Sequence, residues 1–237
     1  MSVRLNKFQQ PVGEALPEWA PRPLPERQAL VGRFCVLEPL ESARHYEDLL
    51  AAWGSAEDGR DWTYLPAGPF NAEELRDHLA QAEASRDPLH FAVIDRQSGR
   101  AVGTLALMRI EPAHGVMEVG YVTFSPALQR TPLSTESHFL LMRYAFDGLG
   151  YRRYEWKCDS LNAPSRRAAE RLGFRYEGLF RQAIVYKGRS RDTAWFSIID
   201  EEWPALREAF ERWLDASNFD AAGVQRRSLA DLRQQRI

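Results

Sequence analysis

The spacing of apolar residues in the first third of the chain predicts one strand and two amphipathic helices. Apolar and polar residues alternate from Phe34 to Leu40, which is the period of a half-buried strand. From Ser42 onward the apolar residues recur every three or four positions, as on one face of a helix: Tyr46, Leu49, Leu50 and Trp53. A second helix is predicted after Asn71, because Glu74 follows three residues later as in a capping box.

The middle of the chain alternates between strands and helices. Turn-forming residues separate three predicted antiparallel strands, which are His90 to Asp95, Arg100 to Ile110 and Val116 to Phe124. Thr131 and Pro132 predict the N-cap and first residue of a helix that runs to about Asp147. A strand and a second helix follow, at Tyr154 to Asp159 and at Ala163 to Leu172.

The last third predicts two long strands and a closing helix, at Arg175 to Tyr186, Arg191 to Ile199 and Glu201 to Leu214. Lys187 to Ser190 is the predicted turn between the two strands. This order of elements predicts an α+β fold with a mixed, mostly antiparallel central sheet and flanking helices. The mixed pairing is expected between the strands before and after the 131–147 helix.

Composition divides the chain into three parts. Residues 1–29 carry five prolines and predict an extended arm of polyproline II character, which Trp19 favours packing on the domain. Residues 30–215 are the predicted domain. Residues 216–237 form a polar tail, either a helix that binds a partner subunit or a frayed end.

The overall composition excludes several functional classes. The 237 residues are 44% hydrophobic and 27% charged, as in an ordinary globular protein. A net charge of −2 indicates neither nucleic acid nor an anionic membrane as a partner. No apolar run of about 18 residues predicts a membrane span, and no apolar segment near the N-terminus resembles a signal peptide. A cytoplasmic location is therefore predicted.

The thiols and imidazoles show no catalytic or metal-binding spacing. Cys35 and Cys158 lie far apart without a CxxC pattern, which indicates reduced thiols. The five histidines show no metal-ligand spacing, so surface or core positions are expected for them and no metal site is predicted.

The segment from Tyr151 to Phe174 offers the most distinctive candidate chemistry. Asn162 is a good N-cap, and Ser165 follows it in the first turn of the predicted helix. A polar pair therefore lies where a sheet strand leads into a helix, a place where α/β proteins often bind ligands.

Taken in chain order, the motifs resemble those of the GCN5-related N-acetyltransferase (GNAT) superfamily, and the nearest branch looks like the ribosomal-protein N-terminal acetyltransferases. The resemblance covers roughly Leu30 to Leu214. It rests on Glu118-Val119-Gly120-Tyr121, Gln129 to Glu136, Asn162 to Ser165, Arg171 to Phe174, Tyr176-Glu177-Gly178, Gly188 with Arg191-Asp192, and Trp203. It implies a GNAT-like sheet and transfer of an acetyl group from acetyl-CoA to a primary amine.

The resemblance implies that the pyrophosphate of acetyl-CoA binds at the helix start near Gln129. Pro132 stands where the family pattern has its middle glycine, so one backbone donor is missing. The expected contacts come from Gln129, Arg130, Leu133, Ser134 and Thr135. The alternative is an ordinary capped helix that binds nothing.

The resemblance also implies roles around the thioester. Asn162 is expected to hold the pantetheine arm, and the Ser165 hydroxyl to hydrogen-bond the departing sulfur, because Ala169 replaces a tyrosine that many members use as the acid. Glu118 matches a carboxylate that acts as the base, and a backbone N–H near Tyr121 or Val122 would meet the oxyanion. The alternatives are helix capping for Asn162 and Ser165, and a structural salt bridge for Glu118.

The acceptor is expected to meet aromatic residues in the loop between the first two helices, namely Trp62 and Tyr64, although either ring can equally be core. A protein N-terminus or a small-molecule amine would fit, and a homodimer is one open assembly. A non-catalytic acyl-CoA-binding or interaction module on the same fold is the second functional hypothesis, which Pro132 and Ala169 favour.

Overall fold

Local capping sets the helix ends in the computed structural model, which describes residues 4–234. The predicted capping box is present: the Asn71 side chain accepts from the backbone N–H of Glu74 at 2.9 Å, and Glu74 Oε2 accepts from the Asn71 N–H at 2.9 Å. Gly173 ends a later helix with a φ of +104°, and a Cβ there would lie 2.6 Å from Leu206. Only glycine fits that left-handed and crowded position.

The described chain contains ten strands and six α-helices. The strands are β1 (Arg4–Leu5), β2 (Pro11–Val12), β3 (Leu30–Val31), β4 (Cys35–Pro39), β5 (Leu89–Asp95), β6 (Ala101–Glu111), β7 (Val116–Phe124), β8 (Arg153–Asp159), β9 (Arg175–Tyr186) and β10 (Arg189–Ile199). The helices are α1 (Ser42–Gly54), α2 (Ala72–Ala84), α3 (Pro132–Arg143), α4 (Ala163–Leu172), α5 (Trp203–Leu214) and α6 (Leu229–Gln234). A five-residue π-helical turn, Tyr144–Gly148, extends α3 almost to the predicted end.

Eight strands form one sheet in the order β3-β4-β5-β6-β7-β8-β10-β9. All neighbours are antiparallel except β7 and β8, which run parallel on either side of α3, as predicted. Two predicted boundaries were wrong. The β9–β10 turn is only Lys187-Gly188, because Arg189 already pairs with Tyr186, and the closing helix begins at Trp203 rather than Glu201.

The helices cover the two faces of the sheet unequally. The main core joins one face of the sheet to α3, α4, α5 and α6. A smaller core joins α1 and α2 to the other face, and its sheet residues come from the strands near β4, β5 and β6. On that second face, the part of the sheet made by β7, β8, β10 and β9 therefore lies outside both cores.

Both terminal segments make defined contacts with the domain. In the arm, the Trp19 indole donates to the carbonyl oxygen of Ala113 at 2.9 Å, and the Tyr151 hydroxyl donates to that of Pro23. In the tail, Leu229 and Leu232 are buried in the main core. None of the helices within residues 4–234 is long and apolar enough to cross a membrane.

Candidate active site

The two parallel strands separate halfway along their length. Pairs join Val116 to Arg153 through Val119 to Trp156, and the recorded pairing ends there although β7 continues to Phe124 and β8 to Asp159. The backbone groups on the facing edges beyond Val119 are thus available to an extended ligand. The starts of α3 and α4 follow the same ends of these strands.

A bulge in β7 lies at the mouth of this opening. Thr104 pairs with Thr123 and Ala106 with Gly120, so β7 carries one extra residue at Tyr121-Val122. Tyr121 has a φ of +50°, an unusual value for a residue with a side chain. A bulge leaves its extra residue unpaired and re-aims the local backbone. This places the predicted oxyanion donors, Tyr121 and Val122, at the separation of the strands.

The N-terminus of α3 lacks a side-chain cap, unlike those of α2 and α4. The N-cap Thr131 makes no hydrogen bond to the helix N–H groups, since its hydroxyl donates to the carbonyl oxygen of Leu128 at 2.7 Å. Pro132 has no N–H, so the unshared donors of the first turn are those of Leu133 and Ser134. These donors, together with the helix dipole, suit an anion.

The remaining residues predicted around the α3 start are placed differently from one another. Gln129 donates to Phe124 and to Asp61 Oδ2, at 2.9 and 3.0 Å, which ties this turn to the loop after α1. Arg130 is exposed, with a φ of +60°. Thr135 is buried and its hydroxyl accepts from Arg171 at 2.7 Å, so its side chain faces away from the first-turn donors.

The start of α4 brings Asn162, Ser165 and Cys158 together. Asn162 Oδ1 accepts from the Ser165 N–H at 3.1 Å, so the predicted N-cap role is confirmed. Ser165 Oγ accepts from the Trp156 indole at 3.0 Å. Burial raises the pKa of the Cys158 thiol, and a hydrogen bond with Ser165 opposes that rise. A protonated thiol is a poor nucleophile, so Cys158 is not suited to covalent catalysis.

Glu118 lies on the face of the sheet opposite α3, because its neighbours Met117 and Val119 are in the main core. Its side chain is only 7% exposed, and its Oε2 accepts from Lys157 Nζ at 2.8 Å. Arg109 Nε is 3.3 Å from the same oxygen. Burial raises the pKa of Glu118, while Lys157 and Arg109 oppose the rise. The salt bridge considered as an alternative is therefore present, and it leaves Oε1 for other partners.

The aromatic loop between α1 and α2 reaches across toward the β9–β10 turn. Trp62 is buried between Trp53 and Phe70, at ring distances of 5.3 and 5.2 Å, which is a packing position. Tyr64 is half-buried, and its hydroxyl donates to the carbonyl oxygen of Leu161 at 3.2 Å, beside the start of α4. Of the two predicted acceptor residues, Tyr64 is thus the one next to the candidate site.

Three polar side chains at this site escaped the sequence interpretation. Lys157 pairs with Glu118; Lys187 Nζ donates to the carbonyl oxygens of Trp62 and Gly68; and the Tyr186 hydroxyl donates to Asp159 Oδ2 at 2.8 Å. The strict alternation of β8 did signal that Lys157 and Asp159 share a face, but no local pattern named their partners. Within residues 4–234, no group of three or more His, Cys, Asp or Glu side chains is arranged to hold a metal ion.

The comparison with protein families decides what this arrangement is. The family model described as "Acetyltransferase (GNAT) domain" matches residues 35–175, more than half of the chain. The chain belongs to the GNAT superfamily. The matched segment contains β7 with its bulge, the uncapped α3 and the start of α4.

Individual GNAT proteins agree with this assignment. A GCN5-related N-acetyltransferase from Brucella melitensis shares 52% identity and superposes with a TM-score of 0.91, covering 93% of this chain and 100% of that one. The uncharacterized N-acetyltransferase YnaD of Bacillus subtilis is 25% identical over 158 residues, 67% of this chain and 91% of YnaD. RimL, a ribosomal L7/L12 alpha-N-protein acetyltransferase solved with coenzyme A, has the same fold, with a TM-score of 0.57, 22% identity, and coverage of 73% and 99% of the two chains.

Family membership establishes the enzyme class and confirms the predicted fold class. The protein is a GNAT acetyltransferase with a mostly antiparallel sheet and flanking helices. The RimL structure also agrees with the predicted resemblance to ribosomal-protein acetyltransferases.

Proposed function

We propose that this GNAT protein transfers an acetyl group from acetyl-CoA to a primary amine by direct attack of the amine on the thioester. The observation that carries the proposal is the separation of β7 and β8 between a bulged strand and the uncapped start of α3. That arrangement supplies a place for an extended arm, donors for a carbonyl oxygen and donors for phosphate.

The pyrophosphate would bind the free N–H groups of Leu133 and Ser134, with charge from the exposed Arg130. Gln129 would act mainly by holding this turn against Phe124 and the Asp61 loop. Thr135 is the least suited of the predicted residues, because helix geometry assigns its N–H to the carbonyl oxygen of Thr131.

The chemistry follows from the groups at the strand opening. Glu118 would accept the proton that the amine loses, directly or through water, while the amine nitrogen forms its bond to the thioester carbon. The N–H groups at Tyr121 or Val122 would hold the oxyanion until the carbon–sulfur bond breaks. The raised pKa of Cys158 supports attack without a covalent enzyme intermediate.

The departing thiolate would accept a hydrogen bond from Ser165, and the Asn162 amide nitrogen would contact the pantetheine arm. Ser165 Oγ already accepts from Trp156, so its own proton is available as a donor. A thiol with a pKa near 8.5 needs little protonation at neutral pH, so a single donor is sufficient.

The acceptor is a primary amine, either a protein N-terminus or a small molecule, entering beside Tyr64. An α-amino group has a pKa near 8 and needs only modest help to lose its proton. The Tyr64–Leu161 hydrogen bond places that ring next to the α4 start, which suits an acceptor-binding residue.

Calorimetric titration with acetyl-CoA and a thiol-release assay over a panel of amines test this function together. We expect 1:1 binding and release of free thiol with at least one α-amine. Binding without release on any amine would instead favour the acyl-CoA-binding module, and absence of binding would refute the site.

Replacing Pro132 with glycine is expected to leave the Kd for coenzyme A unchanged or to lower it by up to about tenfold, since one donor is restored and a hydrogen bond contributes about 0.5–1.5 kcal/mol. Calorimetry measures the Kd. The matched control is Pro204→Gly, in the first turn of α5, which should not alter it. A collapse of affinity in P132G alone would place the pyrophosphate elsewhere.

Replacing Ser165 with alanine is expected to lower kcat by about 3- to 10-fold, the loss of one hydrogen bond, without changing the Kd for coenzyme A. Steady-state thiol release measures kcat. A loss beyond about 100-fold would mean that Ser165 transfers a proton as a general acid. An unchanged kcat would leave Ser165 with a structural role on Trp156.

A further inference from the structure

Lys157 is an ammonium group buried in the floor of the site. Its side chain is 6% exposed, and lysine is almost never buried unless it is paired. Its neighbours in β8, Trp156 and Cys158, belong to the main core, so Lys157 faces the opposite side of the sheet with Glu118. The position therefore needs an explanation beyond packing.

Three groups surround the Lys157 ammonium. Nζ lies 2.8 Å from Glu118 Oε2 and 2.7 Å from Glu155 Oε2. It also lies 3.8 Å from the centre of the Trp195 ring on β10, in a cation–π contact. An ammonium has three donor hydrogens, so its direction is set by these partners.

The sheet places the two carboxylates side by side. Glu118 on β7 is the direct register partner of Glu155 on β8, and both side chains are buried. Two like charges on paired strands repel each other, so each would be driven toward its neutral form. Lys157 is the cation that bridges them both.

The geometry of the pairing also orients Glu118. Lys157 and Arg109 both contact Oε2. Within the described residues, no hydrogen bond reaches Oε1. The two cations thus occupy one oxygen and leave the other to accept a proton.

We propose that Lys157 is a positioning residue, which holds Glu118 ionised and turns Oε1 toward the incoming amine. The inference rests on the proposed role of Glu118 as base. Lys157 does not touch the reacting atoms; it acts through Glu118 and so sets the lowest pH at which the enzyme works.

The charged and titratable groups that face Glu118 come from two strands. Arg109 on β6 favours its ionised form but has a side chain 55% exposed, so solvent screens it. On β8, Lys157 favours ionisation, Glu155 opposes it, and Glu118 in turn raises the pKa of buried Tyr154. Removing Lys157 leaves burial and Glu155 acting together, so the pKa of Glu118 must rise.

The test compares Lys157→Met with wild type across the pH range. We expect the acidic limb of the kcat/KM profile to move up by one pH unit or more, a loss of about tenfold or more at pH 6 that recovers toward pH 9. Lys157→Arg should restore most of the limb. Arg109→Gln, which removes the exposed cation from the same oxygen, should move it by less than about half a unit.

A second readout does not depend on turnover. In protein labelled with ¹³C at the glutamate carboxyl carbon, NMR titration of Glu118, assigned with Glu118→Gln, should give a higher pKa in K157M than in wild type. If K157M does not fold, Lys157→Gln fills the same space without charge and should give the same direction of shift.

An equal loss of kcat/KM at every pH, with the Glu118 titration unchanged, would overturn the positioning role and leave Lys157 a structural residue. Wild-type protein that releases no thiol with any amine would instead refute the proposed function, and the positioning role with it. A wild-type rate in E118Q would refute the base on which this inference rests.

Discussion

Replacing Glu118 with glutamine is expected to lower kcat by about 10²–10⁴-fold while the Kd for coenzyme A changes less than about twofold. The amide has nearly the shape of the carboxylate but cannot accept the proton of the amine, and a positioned base contributes about that factor. The coenzyme contacts proposed at α3 lie on other residues, so binding should persist. Stopped-flow or steady-state thiol release and calorimetry measure the two quantities.

The matched control is Glu155→Gln. Glu155 lies opposite Glu118 in the sheet and shares Lys157, but it is also held by Arg153 Nε at 2.6 Å. Its loss should change kcat by less than about tenfold. Equal losses in the two variants would mean that the buried ion network matters as a whole, and that Glu118 is not the base.

Replacing Glu136 with alanine is expected to lower the free energy of unfolding by about 3–5 kcal/mol. This buried carboxylate accepts three backbone N–H groups: those of Arg33, Phe34 and Cys35, at 2.7, 2.6 and 2.7 Å. Alanine would leave all three donors without their acceptor where water has little access. Urea unfolding followed by circular dichroism measures the change.

Two further variants sharpen this result. Gly32→Ala should also destabilise the protein, because its Cβ would lie 2.5 Å from the Glu136 carboxylate and push it off its donors. Glu47→Ala, on an exposed face of α1, should change stability by less than about 0.5 kcal/mol. A loss as small as that in E136A would mean that the turn at 32–35 finds other acceptors.

The helix starts were predictable wherever one local bond decides them. Asn71 with Glu74, Asn162 with Ser165, and Gly173 are correct because each involves residues within four positions of one another. Pro132 was equally visible as a missing donor. Whether the rest of that turn is uncapped was not visible, because Thr131 had two possible partners and bonds Leu128 rather than the helix.

The candidate site divides along the same line. Motif order located Glu118, Asn162, Ser165 and the strand that carries the bulge. The sequence left Trp62 and Tyr64 equivalent, and the fold separates them: Trp62 packs between two rings, while Tyr64 reaches Leu161, 97 positions away. Likewise, the sequence left the residues after 215 undecided, and Leu229 and Leu232 pack into the core.

By itself, the sequence determined the periods of the strands and helices, their caps and their order, because these depend on neighbours along the chain. It also determined which residues were available for acyl transfer. The tertiary structure alone decided that Lys157 meets Glu118, 39 positions away, and that Glu136 holds the turn about a hundred residues before it. Such contacts depend on which strands become neighbours and how they register, and a buried charge finds its partner only when the whole sheet has formed.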